Sequence, residues 1–397
     1  MIKPGIGLCN GCGKTFEGFY YVSGQNTTDK AQLVWSDEYD DFRLTPLEGQ
    51  TVFALNQKIL MDQENFPPEE ITVRINTDEN LTTLKRCCRH CGKVLDSNLI
   101  GLVPGYVIGV MGATRAGKTS WLGALATAAL SPLVHQKYPY TLIPDRFTAP
   151  LDGIGATLVG IQDAKNNNTN YFKVIHRKTG EVAALVYLFD YGGELYKDKS
   201  YENDNEVRRL LSPKNNRDYP GIDALVVIEP AVYNHKIKQE SSELVPVIDK
   251  IKGINNEKLP IAHVMTHGDL LLERESAKTG GDSHPPLLTA KTFPATAYTN
   301  QSIRALGRHF TPEAIADRFH LQNYIACKAM EDHVLGRHLQ GFHDSQTRHF
   351  LVRSCQPVKN EKGDEDNDYT KQFNVVDPLV WLLHKLNLFP LVLENGG

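Results

Sequence analysis

The amino-acid sequence predicts an α/β protein with a mostly parallel sheet and helices on both faces, preceded by a small β-rich domain. Three observations support this prediction: a glycine-rich segment between a strand and a helix at 112–120, strands that alternate with helices from residue 101 onward, and two cysteine pairs before residue 92. Alternating strands and helices are typical of a parallel sheet. We therefore expect two domains, 1–100 and 101–397.

The composition fits a globular protein with a substantial core. Hydrophobic residues make up 41% and charged residues 23% of the 397 residues. The net charge of −4 provides no overall basic surface, which does not favour nucleic acid as a partner. No apolar run reaches the ~20 residues that cross a bilayer, and the first residues lack the apolar core of a secretory signal. We expect a cytoplasmic protein without a membrane partner.

The first domain is predicted from the form C-x-x-C-G-K, which occurs at 9–14 and again at 88–93. Each pair reads as a zinc knuckle, because the two intervening residues let two thiolates bind one ion, and two knuckles make a structural zinc site. The predicted zinc ligands are Cys9, Cys12, Cys88 and Cys91. Cys87 could take the place of Cys88, whereas the simpler interpretation makes Cys87 and His90 bystanders.

The segment between the knuckles, 13–87, is predicted to be a β-rich insert in this zinc ribbon. A long insertion is tolerable, because the entropy of loop closure grows slowly with loop length. Alternating and aromatic stretches at Phe16 to Val22, Thr51 to Leu55 and Ile71 to Ile75 are separated by polar turns. These stretches predict short strands.

The second domain begins with an apolar strand, Tyr106 to Met111, followed by the spacing G-x-x-x-x-G-K-S/T in 112–120. A helix to about Leu130 comes next. Gly112 and Gly117 permit a tight turn whose backbone N–H groups point inward at the start of this helix, where they bind phosphate. The strand, loop and helix follow in the order that a triphosphate-binding loop requires.

The residues of this loop are assigned to nucleotide binding by the motif. They are Gly112, Thr114, Ala116, Gly117, Lys118, Thr119 and Ser120. Lys118 is expected to bridge the β- and γ-phosphates, and the Thr119 hydroxyl to hold Mg²⁺. The alternative is a glycine-rich turn without function, which the strand and helix on either side disfavour.

The remaining elements follow in order. The proline-containing stretch 131–168 is predicted to be irregular, and two strands flanking the turn 178–181 form an antiparallel hairpin. A helical insertion is predicted at about 275–345, and its histidines, which show no metal spacing, are expected on the surface or in the core. The other predicted elements are strands at Tyr171 to His176, Val182 to Phe189, Asp223 to Ile228, Pro260 to Met265 and Arg348 to Val352, and a helix from Asp377 to Leu388.

The second hairpin strand delivers Asp190 to its carboxyl end, followed by Tyr191, Gly192, Gly193 and Glu194. Phosphate-loop enzymes keep a second-sphere Mg²⁺ ligand at such a strand end. In the form D-x-x-G, the N–H of Gly193 could contact the γ-phosphate and so sense its presence. Without the other segments, D-x-x-G is a common turn.

With these segments in order, the second domain resembles the Ras-like GTPases of the translation-factor-related class. In that family T/N-K-x-D recognises guanine through its Asp, and the segment Thr266-His267-Gly268-Asp269 fits, with His267 in place of the Lys. The segment Ser354-Cys355-Gln356 resembles the S-A-K loop that covers the base. Ser276-Ala277-Lys278 matches those letters better, but follows Asp269 without an intervening strand.

The resemblance also implies roles in hydrolysis. Thr169, 21 residues before Asp190, matches the switch threonine that contacts Mg²⁺ and γ-phosphate, although it could be an ordinary Thr in an Asn-rich turn. Glu194 replaces the Gln that orients water, so slow turnover is expected. Arg115 matches the arginine finger of guanylate-binding proteins, or is a solvated side chain. The implied catalytic residues are Lys118, Arg115, Thr169, Gly193 and Glu194, and the implied magnesium ligands are Thr119, Thr169 and Asp190.

The zinc ribbon ahead of a GTPase domain, with V-x-D-P-L-x-W-L-L from Val375 to Leu383, resembles bacterial double-GTPase-type proteins, which are associated with conflict or defence systems. This resemblance implies GTP or GDP, Mg²⁺ and Zn²⁺ as cofactors. It also implies a protein partner or sister GTPase, and a second copy of the chain is a further candidate. The alternatives to a regulatory GTPase are a non-hydrolysing, nucleotide-bound assembly scaffold and an ATPase.

Overall fold

The computed structural model describes residues 6–9, 14–23, 33–34, 44–46, 52–55, 70–75, 81–95, 99–113, 116–129, 140–146, 170–191, 210–213, 221–231, 235–255, 258–268, 319, 322–323, 326–327, 333–340, 346–354, 356–359, 365–368 and 374–388. The chain divides into two compact units. The first unit comprises Met1–Tyr106 and Asn215–Pro220, and the second comprises Val107–Lys214 and Gly221–Gly397.

The first unit consists of short antiparallel strands. A two-stranded sheet is formed by β1 (Ile6–Leu8) and β2 (Thr15–Glu17). A six-stranded sheet has the order β4-β7-β8-β3-β6-β5. Its strands are β3 (Phe19–Ser23), β4 (Leu33–Val34), β5 (Leu44–Pro46), β6 (Val52–Leu55), β7 (Glu70–Ile75) and β8 (Leu81–Cys87). The stretches that alternate in the sequence between the two cysteine pairs therefore lie in strands.

The core of this unit is organised by the pairing of β3 with β8. Tyr21 lies opposite Arg86, and both side chains are buried. The guanidinium of Arg86 donates to the Ile100 carbonyl at 2.7 Å and lies 5.0 Å from the centre of the Phe19 ring. The buried cation is thus compensated by a carbonyl and an aromatic face.

The second unit contains a seven-stranded mixed sheet of the order β10-β11-β12-β9-β13-β14-β15. Its strands are β9 (Gly105–Gly112), β10 (Tyr140–Arg146), β11 (Asn170–His176), β12 (Val182–Asp190), β13 (Ala224–Pro230), β14 (Ile261–Thr266) and β15 (Thr347–Leu351). The neighbours β9, β13, β14 and β15 pair in parallel. Every residue of β9, β13 and β14 is buried, as expected for strands covered on both faces.

The antiparallel part of this sheet is larger than the predicted hairpin. The strand β10 pairs with β11, which pairs with β12, so three strands run antiparallel instead of two. The stretch around β10 was expected to be irregular because of its prolines. Pro144 is accommodated because β10 is the edge strand, where an N–H is not needed on the outer side, and the register shifts just after it.

Four helices and a second small sheet complete the described elements of this unit. The helices are α1 (Lys118–Ala129), α2 (His235–Ile254), α3 (Val334–Gln340) and α4 (Asp377–Lys385), and the small sheet contains β16 (Gln356–Lys359) and β17 (Glu365–Asp368). Among the helices in the described parts of the chain, none combines the length and apolarity needed to cross a bilayer.

Helices cover both faces of the parallel sheet. Trp381 on α4 packs against Phe350, which lies opposite Val264 in the register of β14 and β15. The start of α3 instead contacts Glu229, which binds His263, the neighbour of Val264. Because successive side chains of a strand point to opposite faces, α3 and α4 lie on opposite sides of the sheet.

The V-x-D-P-L-x-W-L-L segment serves to pack α4. From Val375 to Leu383 every residue is buried. The indole N–H of Trp121 on α1 donates to the Val375 carbonyl at 3.1 Å, and Gln322 donates to the buried Asp377 carboxylate at 2.6 Å. The segment therefore connects α4 to α1 and to residue 322.

Candidate functional site

The turn between β9 and α1 is the centre of the candidate site. Gly112 ends β9, and Gly117 precedes α1 with a φ of 88°, in the region that favours glycine. Within the turn, the Ala116 N–H donates to the Ala113 carbonyl at 3.0 Å. A β carbon at Gly112 would lie 2.3 Å from the carbonyl oxygen of Ile228 on β13. The local geometry therefore requires both glycines.

The Lys118 side chain is buried over this turn. Its ammonium donates to the carbonyl oxygens of Gly112 at 3.0 Å and Ala113 at 3.2 Å. Thr119 and Ser120 follow in the first turn of α1, and both are partly exposed. A cation and a helix N-terminus thus meet at one turn, which is an arrangement that binds anions.

Asp190 stands beside this cation, at the end of β12. The next residue, Tyr191, donates its N–H to the Val110 carbonyl of β9 at 2.9 Å, which brings this strand end to the central strand. Burial raises the pKa of Asp190, and the nearby charge of Lys118 opposes that rise. The Asp190 Oδ1 atom is shielded from solvent and accepts no hydrogen bond from any residue that the structure describes. A buried carboxylate oxygen of this kind fits a cation ligand.

Thr266, at the end of β14, is attached directly to the turn between β9 and α1. Its hydroxyl donates to the Ala116 carbonyl at 2.8 Å, and its methyl carbon would lie 3.2 Å from a β carbon at Gly117. Its own carbonyl accepts from the Ala231 N–H at 2.7 Å. The segment predicted to bind the base is thus joined to the turn predicted to bind phosphate.

The residues after Thr266 are held from the other side by the end of β15. His267 is exposed and has a φ of 57°, and Gly268 donates its N–H to the Val352 carbonyl at 2.9 Å. A β carbon at Gly268 would lie 3.0 Å from the Leu351 β carbon. Ser354 follows two residues after Val352, with its hydroxyl buried and no hydrogen-bond partner among the described residues.

The structure thus brings the described residues of 112–120, together with Asp190, Thr266, His267 and Ser354, to the carboxyl ends of neighbouring strands. Several predicted residues lie outside the described residues and remain predictions. These are Cys12, Thr114, Arg115, Thr169, Gly193, Glu194, Asp269 and Cys355.

A second candidate site lies in the first unit, where three thiols converge. The sulfur atoms of Cys9, Cys88 and Cys91 lie within 4.8 Å of one another, and the Cys9 and Cys91 sulfurs are 3.6 Å apart. The two turns close in the same way: Cys9 donates its N–H to the Lys14 carbonyl at 3.0 Å, and Cys88 to the Lys93 carbonyl at 2.9 Å. Three converging thiols fit a soft cation such as Zn²⁺.

The neighbours Cys87 and His90 do not belong to this cluster. Burial raises the pKa of Cys87 to about 12, and the Cys91 and Cys9 thiols add to the rise. The His90 ring donates from Nε2 to the Thr15 carbonyl at 2.9 Å. His90 instead supports the cluster through its backbone, since its N–H donates to the Cys88 sulfur at 3.3 Å. The geometry favours Cys88 over Cys87 as a ligand, because the Cys88 sulfur is the one that lies within 4.8 Å of both the Cys9 and the Cys91 sulfur.

Sequence reasoning missed a buried polar row in the second unit. Glu229, His263 and His349 lie on the adjacent strands β13, β14 and β15, and each is at most 4% exposed. A sequence signal existed for two of them, since Glu229 and His263 are polar residues within the otherwise apolar strands β13 and β14. These strands were interpreted only as buried hydrophobic elements, so their polar side chains were not considered.

Comparison with known proteins gives little. No protein-family model and no curated protein matches the sequence. The chain is similar to a solved structure of translation elongation factor SelB from Methanococcus maripaludis in its apo form, with 11% sequence identity and a TM-score of 0.28. The match covers 73% of this chain and 35% of that factor, so the chain spans about a third of its length.

Proposed function

We propose that the second unit binds GTP and Mg²⁺ where β9 meets α1, and that the bound nucleotide works as a slow switch. The observation that supports this best is the meeting of Lys118 and Asp190 at the turn that begins at Gly112. An ammonium at a helix N-terminus favours phosphate oxygens, and a shielded carboxylate oxygen favours a hard cation. The ammonium can therefore bind the triphosphate, and the carboxylate can bind its metal ion.

Different residues at the turn would bind different parts of the nucleotide and its metal ion. Lys118 exchanges its hydrogen bonds with the turn carbonyls for the β- and γ-phosphates, while the backbone N–H groups of 112–120 contact the remaining oxygens. Thr119 and Asp190 would hold Mg²⁺, which supplies charge neutralisation of the phosphates when bound. Because the pKa of Asp190 is raised, a cation that binds this carboxylate displaces a proton more often than at an ordinary Asp.

Guanine recognition is assigned to Asp269, with Thr266 and His267 before it and Ser354 and Cys355 on the other side of the base. Two contacts support this assignment. Thr266 is attached to the phosphate-loop turn and Gly268 to the end of β15, so the chain enters residue 269 from a segment that is fixed on both sides.

Hydrolysis is assigned to the switch segments around Thr169 and around Gly193. Thr169 would complete the cation shell and Gly193 would contact the γ-phosphate. Glu194, in the position that usually orients water, places a carboxylate near a negatively charged phosphate, so turnover without a partner is slow. Arg115 would supply a positive charge in cis, and an unidentified protein partner or sister GTPase would read the switch.

The first unit is assigned a structural zinc ion. Cys9, Cys88 and Cys91 supply three thiolates, and Cys12, which follows Cys9 as Cys91 follows Cys88, supplies the fourth. The matching closures of the two turns support this assignment, because equivalent turns aim equivalent thiols.

Nucleotide titration tests the main proposal. Wild-type protein should bind GTP and GDP more tightly than ATP in the presence of Mg²⁺ by calorimetry. The Lys118→Ala variant should lose at least roughly tenfold in GTP affinity, since charge-assisted hydrogen bonds are removed. The Lys250→Ala variant, which changes an exposed lysine on α2, should bind as wild type. Wild-type protein that binds no nucleotide would refute the proposal, and tighter ATP binding would change the assigned base.

Single-turnover hydrolysis separates a switch from a scaffold. GTP hydrolysis that is slow but measurable supports the switch, whereas tight GTP binding without turnover, alone or with partners, favours a nucleotide-bound scaffold. The Arg115→Ala variant should slow hydrolysis, because an arginine finger can contribute roughly 10³ to 10⁵ in rate. An unchanged single-turnover rate would show that Arg115 is a solvated side chain.

A further inference from the structure

The helix α3 is seated on a buried carboxylate of the central sheet. Glu229 on β13 is fully buried, and its oxygens accept the backbone N–H groups of Leu335 at 3.0 Å and Gly336 at 2.9 Å. The same carboxylate contacts His263 Nε2 at 2.9 Å. His263 Nδ1 in turn lies 3.0 Å from His349 Nδ1 on β15. The first turn of α3 is therefore bound to three adjacent strands through one polar row.

The histidines in this row are neutral. Burial lowers the pKa of His263 to about 3, and the charge of His333 adds to that effect. Burial also lowers the pKa of His349 well below its usual value. A neutral imidazole has one donor and one acceptor nitrogen, so each contact in the row holds a single shared proton. The row fixes strand positions without burying an unpaired cation.

A second connection runs from α3 to the phosphate-loop turn. His333, the residue before α3, donates from Nε2 to the Ala231 carbonyl at 3.0 Å, because a carbonyl can only accept. The Ala231 N–H donates to the Thr266 carbonyl at 2.7 Å, and the Thr266 hydroxyl donates to the Ala116 carbonyl at 2.8 Å. Three hydrogen bonds thus join His333 to the turn between β9 and α1.

The last of these hydrogen bonds controls a phosphate-binding group. The Ala116 carbonyl and the Gly117 N–H belong to one planar trans peptide, so they point in opposite directions. When Thr266 holds the carbonyl, the Gly117 N–H is directed away from Thr266. In the proposed function, the N–H groups of this turn bind the nucleotide phosphates. The position of Thr266 therefore sets the direction of one of these donors.

We propose that His333 is a positioning residue for nucleotide binding, and that the seating of α3 on Glu229 and Ala231 sets the affinity of the phosphate loop. This inference rests on the proposed nucleotide site. By reciprocity, a molecule that shifts α3 changes nucleotide affinity, and nucleotide binding changes the position of α3. The helix α3 then acts as a regulatory element of the site.

The structure supplies a matched control on the same helix. His338 on α3 contacts the exposed Asp249 carboxylate on α2 through Nε2 at 2.8 Å. This contact also holds α3, but it has no part in the chain of hydrogen bonds to Ala231. Loss of the His338 contact tests whether any loosening of α3 is enough to affect the turn between β9 and α1, or whether the hydrogen bonds that start at His333 must be lost.

The experiment uses the full chain without nucleotide and measures amide hydrogen exchange in peptides that cover 107–121 and 224–231. His333→Leu and His333→Asn, which cannot reach the Ala231 carbonyl, should speed exchange in both peptides roughly fivefold, the effect of about one net hydrogen bond. His333→Gln places an N–H near the position of Nε2 and should restore exchange close to wild type. His338→Ala should leave both peptides unchanged.

The same variants are then titrated with GTP and GDP. His333→Leu and His333→Asn should weaken the binding of GTP and GDP by a similar factor of roughly five. The two effects should be similar because the hydrogen bonds from His333 lead to the turn and not to the γ-phosphate, which only GTP has. Exchange that is unchanged in the two loss variants, or that rises equally in His338→Ala, overturns the inference. Wild-type protein that binds neither nucleotide refutes the proposed function alone, because the exchange measurements still decide whether α3 positions the turn.

Discussion

The cysteine cluster of the first unit and the turn between β9 and α1 of the second, where we propose phosphate binding, both contain glycine-bearing turns, but they are stabilised differently. The cysteine turns are each closed by a backbone hydrogen bond from a cysteine N–H to a lysine carbonyl, and they meet at three thiols. The phosphate-loop turn is held by contacts from several elements: Lys118 on its carbonyls, Thr266 on Ala116, and Ile228 against Gly112. In the first site thiols from two separate turns meet, whereas the second turn is held by protein groups from several elements.

Because of this difference, the loss of a ligand should affect the two units differently. If the thiol cluster binds zinc as proposed, the free energy of metal binding becomes folding free energy of the first unit. A turn that is already held by buried hydrogen bonds should keep its shape whether or not the proposed nucleotide is bound. Metal should therefore govern the stability of the first unit, while internal packing and hydrogen bonds govern that of the second.

Metal removal should have the largest effect, and it should be confined to the first unit. Structural zinc sites in small domains contribute on the order of 10 kcal/mol in apparent binding free energy. Chelation, or Cys9→Ser, should therefore abolish protection from hydrogen exchange in the peptide that covers 81–95. Protection of the peptide that covers 221–231 in the second unit should not change.

A matched cysteine variant provides the control for that experiment. Cys327 lies outside the thiol cluster, so Cys327→Ser should retain wild-type metal content. If Cys9→Ser retains the same zinc per chain as wild type, the cluster does not bind zinc. If chelation also removes protection in the second unit, the proposed separation between the two sites is wrong.

The two turns and several strands of the sheet could be predicted from the sequence. Both turns are local motifs, and the residues that define them are a few positions apart. The strands β9, β13 and β14 were also predictable, because fully buried parallel strands form continuous apolar runs. The assignments of Arg115, Thr169, Glu194 and Asp269 stay predictions, since these residues lie outside the described residues.

Long-range contacts were not predictable from local pattern. Glu229 binds His263, 34 residues away, and accepts from Leu335, 106 residues away, so no spacing within a strand shows the pairing. The histidines of the helical insertion were expected to be ordinary surface or core residues, and one sequence does not reveal that His333 contacts Ala231. The strand β10 was missed because Pro144 is compatible with an edge position that only the sheet order reveals.

Substitution of two glycines should sharpen the contrast between a turn packed by protein and an open position. Gly112→Ala would place a β carbon 2.3 Å from a backbone carbonyl oxygen, which cannot rotate away. We expect a loss of about 3 kcal/mol or more in the free energy of unfolding of the second unit. Gly253→Ala on α2 meets nothing within 4 Å and should instead stabilise the unit by about 0.5–1 kcal/mol.

Urea unfolding followed by the fluorescence of Trp121 and Trp381, both buried in the second unit, measures these two changes. Opposite signs support the description of the turn as a packed structure. A Gly112→Ala variant as stable as wild type would show that β9 and β13 can separate at this point, and that the turn is not fixed by protein contacts.

The pH dependence of stability should distinguish the second unit further, because its polar row contains a titrating carboxylate. Burial raises the pKa of Glu229 from 4.5 to about 7, whereas N–H groups of α3 and the charge of His333 oppose the rise. Between those two values the folded state binds more protons than the unfolded state, so this group's contribution to stability falls as pH rises. Burial lowers the pKa of His263 from 6.5 to about 3, so its contribution rises with pH between those values.

The Glu229→Gln variant removes the first contribution and leaves the second. The stability of wild type relative to this variant should therefore fall by about 3 kcal/mol between pH 4.5 and pH 7, the free energy that corresponds to the shift in pKa. Urea unfolding monitored by Trp121 and Trp381 at several pH values measures this difference. Glu243→Gln, at an exposed position on α2, should parallel wild type across the range. A stability difference between wild type and Glu229→Gln that stays constant with pH would show that Glu229 is ionised throughout, held as a carboxylate by the N–H groups of α3.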